Sequence, residues 1–459
     1  MIYILFFGTL CSVLINYKIA GNDYFYPPVL YSFMFLISSL ICLINVKEFD
    51  INLSASTVLV ILVGIIVFSI VGLCFQSYPK KRNLSCGIVE PLPLKTSWII
   101  VILVIQFISI IFFIKYLNSL TNAYASAGYP NVPHNLSGKI GLYDNLTKFW
   151  KTIFNELSVR VPFLYSITNP IAAASEYLVI YISINNYFAT KHVNKFAYLV
   201  LLLMIARILL NGSRTPLFRV VTFALFLFFY FSYKTKKIKL GSLRLLGYIS
   251  MIAIGCLIVF YLLQYVIGRK IEDINFRDQL FIYAGAPIVN LNSFINNTQL
   301  SFFSGAGTNI LIGEQTFKNL YAYLMKLFGI SYRIPYILNF NYSDNGIEIG
   351  NVYTMFHTIL YDFGYFGVLW TVIVEASYYC YFYNKVMFSS IKKGVNLALL
   401  VLAYLFNDLI MSIFSNRFYG TILDAPFLKM LVILIILTFF VNYNNSKKIN
   451  KKNPINHSK

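Results

Sequence analysis

The stretch YISMIAIGCLIVFYLLQYV, residues 248–266, contains no charged side chain. A helix needs about 20 mainly apolar residues to cross the hydrocarbon core of a bilayer, and this stretch has that length. Similar runs recur along the chain, in which 58% of residues are hydrophobic and only 12% are charged. Soluble chains carry about 25% charged residues, so this composition predicts an integral membrane protein.

The same length rule predicts about eleven transmembrane helices in one all-α, polytopic domain that occupies residues 1–459. The expected spans are residues 2–17, 28–46, 56–76, 97–115, 171–189, 196–210, 217–233, 246–267, 363–384, 395–413 and 427–443. The four histidines are scattered and most cysteines lie inside apolar runs. We therefore expect no metal site, no cofactor and no disulfide framework.

The lysines and arginines predict how the chain is oriented. They cluster at Lys80-Lys81-Arg82, at Lys191 with Lys195, at residues 234–239, at Lys392-Lys393 and at residues 447–452. With eleven spans all these clusters fall on one side, which the positive-inside rule identifies as the cytoplasm. Charge spread in this way over short membrane loops also argues against a nucleic-acid partner.

The opposite face then receives residues 47–55, 116–170, 211–216, 268–362 and 414–426. Two of these segments, 116–170 and 268–362, are much longer than ordinary connections. In the first, Phe149, Trp150, Ile153, Phe154 and Leu157 recur at helical spacing. This spacing predicts an amphipathic helix that lies on the outer leaflet.

Three arginines stand close to that face. Arg207 lies inside an apolar run, Arg214 lies in the turn NGSRTP at 211–216, and Arg219 lies one turn into the next helix. An arginine within a span marks a functional site by default, but one near the end can extend its head to water. Both interpretations stay open for Arg207 and Arg219. Arg214 is beside a helix start, where backbone N–H groups attract anions, so we predict that it binds one.

Arg269, Lys270 and Arg277 follow the span at 246–267 on the same face. Arginine keeps its charge and forms bidentate hydrogen bonds to phosphate. We expect at least two of these arginines, with Arg214 among them, to clamp a pyrophosphate.

Asp362 is the leading candidate for a general base, because burial at the membrane interface would raise its pKa. The alternative is a helix N-terminal aspartate that the helix dipole favours. Other candidates are Glu272, Asp273, Asp278, Asp344 and Glu348, while we expect His357 to be a hydrogen-bonded structural residue. Tyrosine and asparagine are abundant in the outer segments and suit the binding of sugars.

Several of these segments resemble a known family. They are NGSRT at 211–215, YAGAPIVNLN at 283–292, NVYT at 351–354, and YDFG at 361–364 with Gly367. In this order, over residues 195–385, they resemble the Wzy-type O-antigen polymerases, which join oligosaccharide repeat units. The resemblance places Tyr283, Asn292, Asn351 and Tyr353 among the expected substrate-binding residues.

The resemblance implies an enzyme of the bacterial inner membrane with its active site facing the periplasm. Such enzymes transfer a glycan from undecaprenyl pyrophosphate onto a new lipid-linked repeat unit, and their architecture is similar to that of other membrane glycosyltransferases with lipid-linked donors. A flippase and a chain-length regulator are the expected protein partners. Two alternatives remain open: an O-antigen ligase-like transferase, and a flippase or transporter for the lipid-linked oligosaccharide.

Overall fold

The computed structural model describes residues 1–76, 87–148, 150–235, 276–307, 310–332 and 334–452, with residues 242, 247, 251 and 255 between them. Almost all of the predicted span 246–267 lies outside the described residues, as do Arg269, Lys270, Glu272 and Asp273. Nothing in the fold therefore bears on Arg269 as a substrate-binding residue.

The described chain is 72% helical, with one two-stranded antiparallel sheet. The helices are α1 (Ile2–Ile19), α2 (Pro27–Ile44), α3 (Ala55–Gln76), α4 (Thr96–Ser126), α5 (Leu136–Lys148), α6 (Lys151–Glu156), α7 (Phe163–Thr190), α8 (Phe196–Leu210), α9 (Thr215–Lys234), α10 (Phe276–Ala284), α11 (Ala286–Asn297), α12 (Lys318–Phe328), α13 (Phe356–Phe388), α14 (Leu397–Ile410), α15 (Arg417–Ile422) and α16 (Ala425–Lys452). The strands are β1 (Asn341–Tyr342) and β2 (Glu348–Gly350).

Eight of these helices are long and apolar enough to cross a membrane: α1, α2, α3, α4, α7, α9, α13 and α16. Two shorter apolar helices, α8 and α14, accompany them. Every predicted span that falls on described residues coincides with one of these ten helices. The fold is therefore that of an all-α, multi-pass membrane protein.

The predicted outer segments are shorter than expected, because helices continue beyond their apolar stretches. Helix α4 runs on to Ser126 and α7 begins at Phe163, which leaves residues 127–162 between them. Helix α13 begins at Phe356, so Asp362 lies inside a helix instead of before one. A hydropathy window misses such extensions because it detects the bilayer-crossing part of a helix and not its polar continuation.

The predicted amphipathic helix over residues 146–157 is wrong. The chain leaves helical geometry at Trp150 (φ −104°, ψ 47°), which separates α5 from α6. Ile153, Phe154 and Leu157 pack against the cluster formed around Leu120 in the extension of α4. Their apolar spacing therefore serves a contact within the protein.

A backbone break divides α13 near its start. Gly364 has φ +63° and ψ −157°, and a Cβ added there would lie 2.4 Å from the Ser301 carbonyl oxygen. The segment at 301–306 lies in the break, where the Ala306 N–H donates to the Tyr361 carbonyl at 3.0 Å and the Phe366 N–H donates to the Phe302 carbonyl at 2.8 Å. A long connecting segment is thus fixed to the beginning of a spanning helix.

Contacts between distant segments show which loops share an end of the helical bundle. At one end the Asn345 amide donates to the Glu48 carbonyl at 2.6 Å, and the Met355 N–H donates to the Ser412 carbonyl at 2.8 Å. At the other end Lys234 donates to the Ser389 carbonyl at 2.6 Å. The described basic clusters around residues 191–195 and 392–393 lie at this second end.

A buried ion pair joins α7 to α8. The Arg207 Nε donates to the Glu176 Oε1 at 3.0 Å, and a second bond joins Arg207 Nη2 to Glu176 Oε2. Gln106 of α4 donates to the same Oε1 at 2.8 Å, and Asn169 accepts from Arg207 Nη1 at 2.5 Å. The guanidinium of Arg207 is thus occupied by neighbouring helices.

We expect Arg207→Met to lower stability by about 3–5 kcal/mol, because it leaves the buried Glu176 carboxylate without its partner. The double variant Glu176→Met/Arg207→Met removes both charges and should be markedly more stable than the single one. Thermal unfolding of the purified protein, followed by loss of helical circular dichroism, measures both. A single variant as stable as the wild type would contradict this role.

Candidate functional site

Four segments next to membrane-spanning helices meet around one pocket of about 840 Å³. The pocket is at the end of the bundle where Asn345 contacts Glu48. Its walls come from the start of α7, the turn before α9, the region of residues 315–358, and the region of residues 404–430. These segments are far apart in sequence, and the pocket exists only because the helices bring their ends together.

Basic side chains form one wall of the pocket, referred to here as the cation wall. Its members are Arg219, Lys318, Lys326, Arg417 and Lys429. Arg219 donates to the buried Asp408 at 2.5 Å and stacks on the Tyr404 ring at 4.5 Å, so its charge is largely matched. Lys326, Arg417 and Lys429 form no ion pair with a described residue. Among the described residues Asp424 is the only carboxylate that lines the pocket.

Arg417 is the first residue of the short helix α15. Its Nε is shielded from solvent and has no hydrogen-bond partner among the described residues. Burial lowers the pKa of Arg417, and the Asp408 carboxylate opposes that shift. A poorly solvated guanidinium at a pocket wall is suited to bind an anion that can replace the lost water.

Sequence reasoning did not single out Arg417. Its segment, 414–426, is short and carries no motif that drew attention to it. One signal was available, because a basic residue on the predicted non-cytoplasmic face runs against the positive-inside rule.

Amide and aromatic side chains also line the pocket, and they are referred to here as the amide wall. It is lined by Tyr165, Asn169, Asn351, Tyr353, Thr354, His357 and Asn416. The Tyr353 hydroxyl donates to the Asn339 carbonyl at 3.1 Å and accepts from the Asn341 amide at 3.0 Å. Asn351 donates to the Tyr336 hydroxyl at 3.1 Å. Two residues predicted to bind substrate, Asn351 and Tyr353, are thus held in the wall of the pocket.

His357 lies behind Tyr353 in the same wall. The two rings stack with centroids 4.0 Å apart, and only 2% of His357 is exposed to solvent. Its Nδ1 has no hydrogen-bond partner among the described residues. The expectation of a hydrogen-bonded structural imidazole is therefore not met at this atom.

The structure brings together two more of the predicted residues. Arg214 is the N-cap residue of α9 and is buried, with its guanidinium carbon 6.0 Å from the centre of the Tyr283 ring. Its neighbours Ser213 and Thr215 line the pocket. Arg214 and Tyr283 therefore form a contact at the edge of the pocket.

Three other predicted residues are held elsewhere. Arg207 is in the ion pair with Glu176. Arg277 bonds Glu48 at 2.8 Å and Asn45 at 3.1 Å, beside a separate cavity of about 460 Å³. The Asn292 side-chain oxygen accepts from the Ser54 N–H at 2.8 Å and the Thr57 hydroxyl at 2.9 Å, at the start of α3.

Asp362 acts as an acceptor for backbone groups. Its two carboxylate oxygens accept from the N–H groups of Gln315 at 3.2 Å and Thr316 at 2.6 Å. Gln315 and Thr316 line the pocket, whereas Asp362 lies beneath them. The geometry assigns this carboxylate a supporting role in the pocket wall, and its role as a base stays a prediction.

Comparisons with family models, with curated proteins and with solved structures find no match for this chain.

We expect Asp362→Asn to lower the melting temperature, because hydrogen bonds to a charged acceptor contribute about 1.5–3 kcal/mol and an amide replaces only part of that acceptor. Asp344→Asn, at an exposed position, is the matched control and should melt as the wild type does. An unchanged melting temperature with activity about 10²–10⁴-fold lower would instead identify Asp362 as a general base.

Proposed function

We propose that this protein is a membrane glycosyltransferase that polymerises oligosaccharide repeat units linked to a lipid pyrophosphate. The observation that carries the proposal is the pocket itself, which is lined by both the cation wall and the amide wall. A lipid-linked saccharide has the matching two halves, a pyrophosphate and a polyhydroxylated sugar. The motifs at 351–354 and 211–215, which carry the resemblance to Wzy-type polymerases, lie at this pocket.

In the proposed reaction a hydroxyl oxygen of the acceptor sugar attacks the anomeric carbon of the donor. The new C–O bond forms as the bond from that carbon to the pyrophosphate oxygen breaks, and the pyrophosphate leaves with the electron pair. The cation wall stabilises the charge that develops on this leaving group. Because Arg417 is poorly solvated, its interaction with that charge is stronger than it would be in water.

The hydroxyl proton needs an acceptor close to the sugar. We place Asp424 in this role, since among the described residues it is the only carboxylate that lines the pocket and burial raises its pKa to about 6. His357 is set back behind Tyr353 and only 2% exposed, which keeps it from the sugar.

We further propose that the protein acts in the inner membrane of a bacterium, with the pocket on the periplasmic face. Its lipid carrier is then undecaprenyl pyrophosphate, and its protein partners are a flippase and a chain-length regulator. The rival activity, that of an O-antigen ligase-like transferase, would use the same two walls. It differs only in the molecule that receives the glycan. The flippase alternative requires a polar path through the bilayer, whereas the pocket lies at one end of the bundle.

We expect Arg417→Ala to reduce polymer formation about 10²–10³-fold, the effect typical of removing one group that stabilises a developing negative charge. Arg417→Lys should restore activity only in part, because a point charge cannot reproduce the guanidinium fork. Arg160→Ala, at an exposed arginine outside the pocket, is the matched control.

The assay uses purified protein in lipid nanodiscs with lipid-linked repeat units, and a glycan ladder reports polymerisation. Wild-type protein that forms no ladder but transfers glycan to lipid A core would favour the ligase-like activity. Ladders of normal length from Arg417→Ala would refute the role of the cation wall.

We expect Asp424→Asn to lower turnover about 10²–10⁴-fold while the lipid-linked donor still binds, because only the proton acceptor is removed. Single-turnover kinetics and donor binding, measured on the same nanodisc preparations, separate the two effects. If Asp424→Asn turns over normally and His357→Gln does not, the proton acceptor is His357.

Binding of an anionic donor should tighten as pH falls through about 6. Burial raises the pKa of Asp424 to about 6, although Arg219 opposes the shift, so below that pH the pocket loses a negative charge. A pyrophosphate diester does not titrate in this range and is the appropriate ligand for calorimetry at pH 7.5 and 5.5. Asp424→Asn should bind it tightly at both values, and an undiminished pH dependence in that variant would contradict the assignment.

A further inference from the structure

Helix α12 exposes apolar side chains that a helix of a soluble domain would bury. Successive residues of a helix are 100° apart, which puts Lys318, Asn319 and Lys326 on one face. These three residues line the pocket. Tyr323, Leu327 and Phe328 do not line it and are exposed, Leu327 by 62% and Phe328 by 69%.

A helix on a soluble domain buries its apolar stripe against the core. Here Met325 is buried, but the three further apolar side chains stay exposed, which is favourable when the surroundings are apolar. The neighbouring element supports that conclusion, because α12 packs against α16, a helix long enough to span the membrane. Exposed apolar residues continue along α16 through Leu428 and Val432.

A second segment on this side repeats the pattern independently. Phe302 and Phe303 are exposed, Phe303 by 75%, and both pack on Phe366, whose ring is 5.5 Å from that of Phe303. Phe366 is itself exposed on the spanning helix α13. Ile310 and Ile312 extend the exposed apolar surface beyond these rings.

Together these residues form what is called here the apolar rim. It consists of Phe302, Phe303, Ile310, Ile312, Tyr323, Leu327, Phe328 and Ile330, each at least 45% exposed. Its two parts contact two spanning helices, α16 through α12 and α13 through Phe366. It also includes a tyrosine and lies beside Lys326, which are residue types found at membrane interfaces.

We propose that the apolar rim is embedded in the lipid bilayer at the boundary between headgroups and acyl chains. Helix α12 then lies along the membrane surface, with Tyr323, Leu327 and Phe328 among the lipids. The same helix carries Lys318 and Lys326 into the pocket, so the mouth of the pocket is held at headgroup level. This assignment of the rim does not depend on the reaction that the pocket performs.

The test places single tryptophans in the full-length chain after Trp98, Trp150 and Trp370 are each replaced by phenylalanine. Leu327→Trp and Phe303→Trp probe the two parts of the rim. Ala322→Trp, on the polar face of α12, is the matched control. Each protein is reconstituted into phosphatidylcholine vesicles whose acyl chains are brominated near the headgroup, and melting temperatures identify any variant that is misfolded.

We expect Leu327→Trp and Phe303→Trp to lose at least half of their emission in brominated vesicles relative to unbrominated ones, and to be protected from aqueous acrylamide. Ala322→Trp should show the opposite behaviour. Rim tryptophans that acrylamide quenches and bromine does not would overturn the proposal by placing the rim in water. Rim tryptophans that neither reagent quenches would also overturn it, because a protein surface would then cover the rim.

Discussion

The pocket depends on the contact between the first turns of α13 and the segment that precedes it in sequence. Gly364 interrupts the helix, and the backbone at 301–306 occupies the space that a side chain would fill. Two residues before Gly364, the Asp362 carboxylate accepts hydrogen bonds from the N–H groups of Gln315 and Thr316. Buried backbone N–H groups need acceptors, and these contacts supply them where no regular helix does. Residues 301–306 and 315–316 are thereby anchored to a spanning helix, and Gln315 and Thr316 lie in the wall of the pocket.

The two walls of the pocket are built differently. In the amide wall, Tyr353 accepts from Asn341 of β1 and Asn351 donates to Tyr336, so both are held by hydrogen bonds to neighbouring residues. The cation wall is assembled from separate elements, with Lys318 and Lys326 on α12, Arg417 on α15 and Lys429 on α16. Positive charges on separate elements can surround an anion from several directions, and each acts strongly where water is excluded. Under the proposed function, the amide wall orients the sugar and the cation wall accepts the charge.

The sequence was sufficient for the helices and insufficient for the contacts between them. Apolar runs are a local signal, so all ten predicted spans on described residues coincide with helices. Arg207 shows where this signal ends, because its partner Glu176 is on another helix and no local pattern links the two positions. For the same reason Arg277 was assigned to a site from its place after a span and Asn292 from its motif, whereas the structure places them against residues 45–57.

The apolar spacing in the outer segments was informative about helices but not about what covers them. At Ile153 and Phe154 the apolar residues pack on the extension of α4, and at Leu327 and Phe328 a similar spacing is left exposed. The difference depends on which element lies opposite, which only the tertiary structure shows. Asn351 and Tyr353 were found from sequence because they lie in one short motif, while Arg417 joins them only through the fold.

The pairing of Glu176 with Arg207 constrains how this chain can change over evolution. Any single substitution that removes one charge leaves the other buried and unmatched, so the intermediate between two tolerated sequences is itself poorly tolerated. Relatives should therefore keep both residues or replace both. Positions 176 and 207 would then vary together in an alignment, and that covariation would reveal the packing of α7 on α8 without any structure.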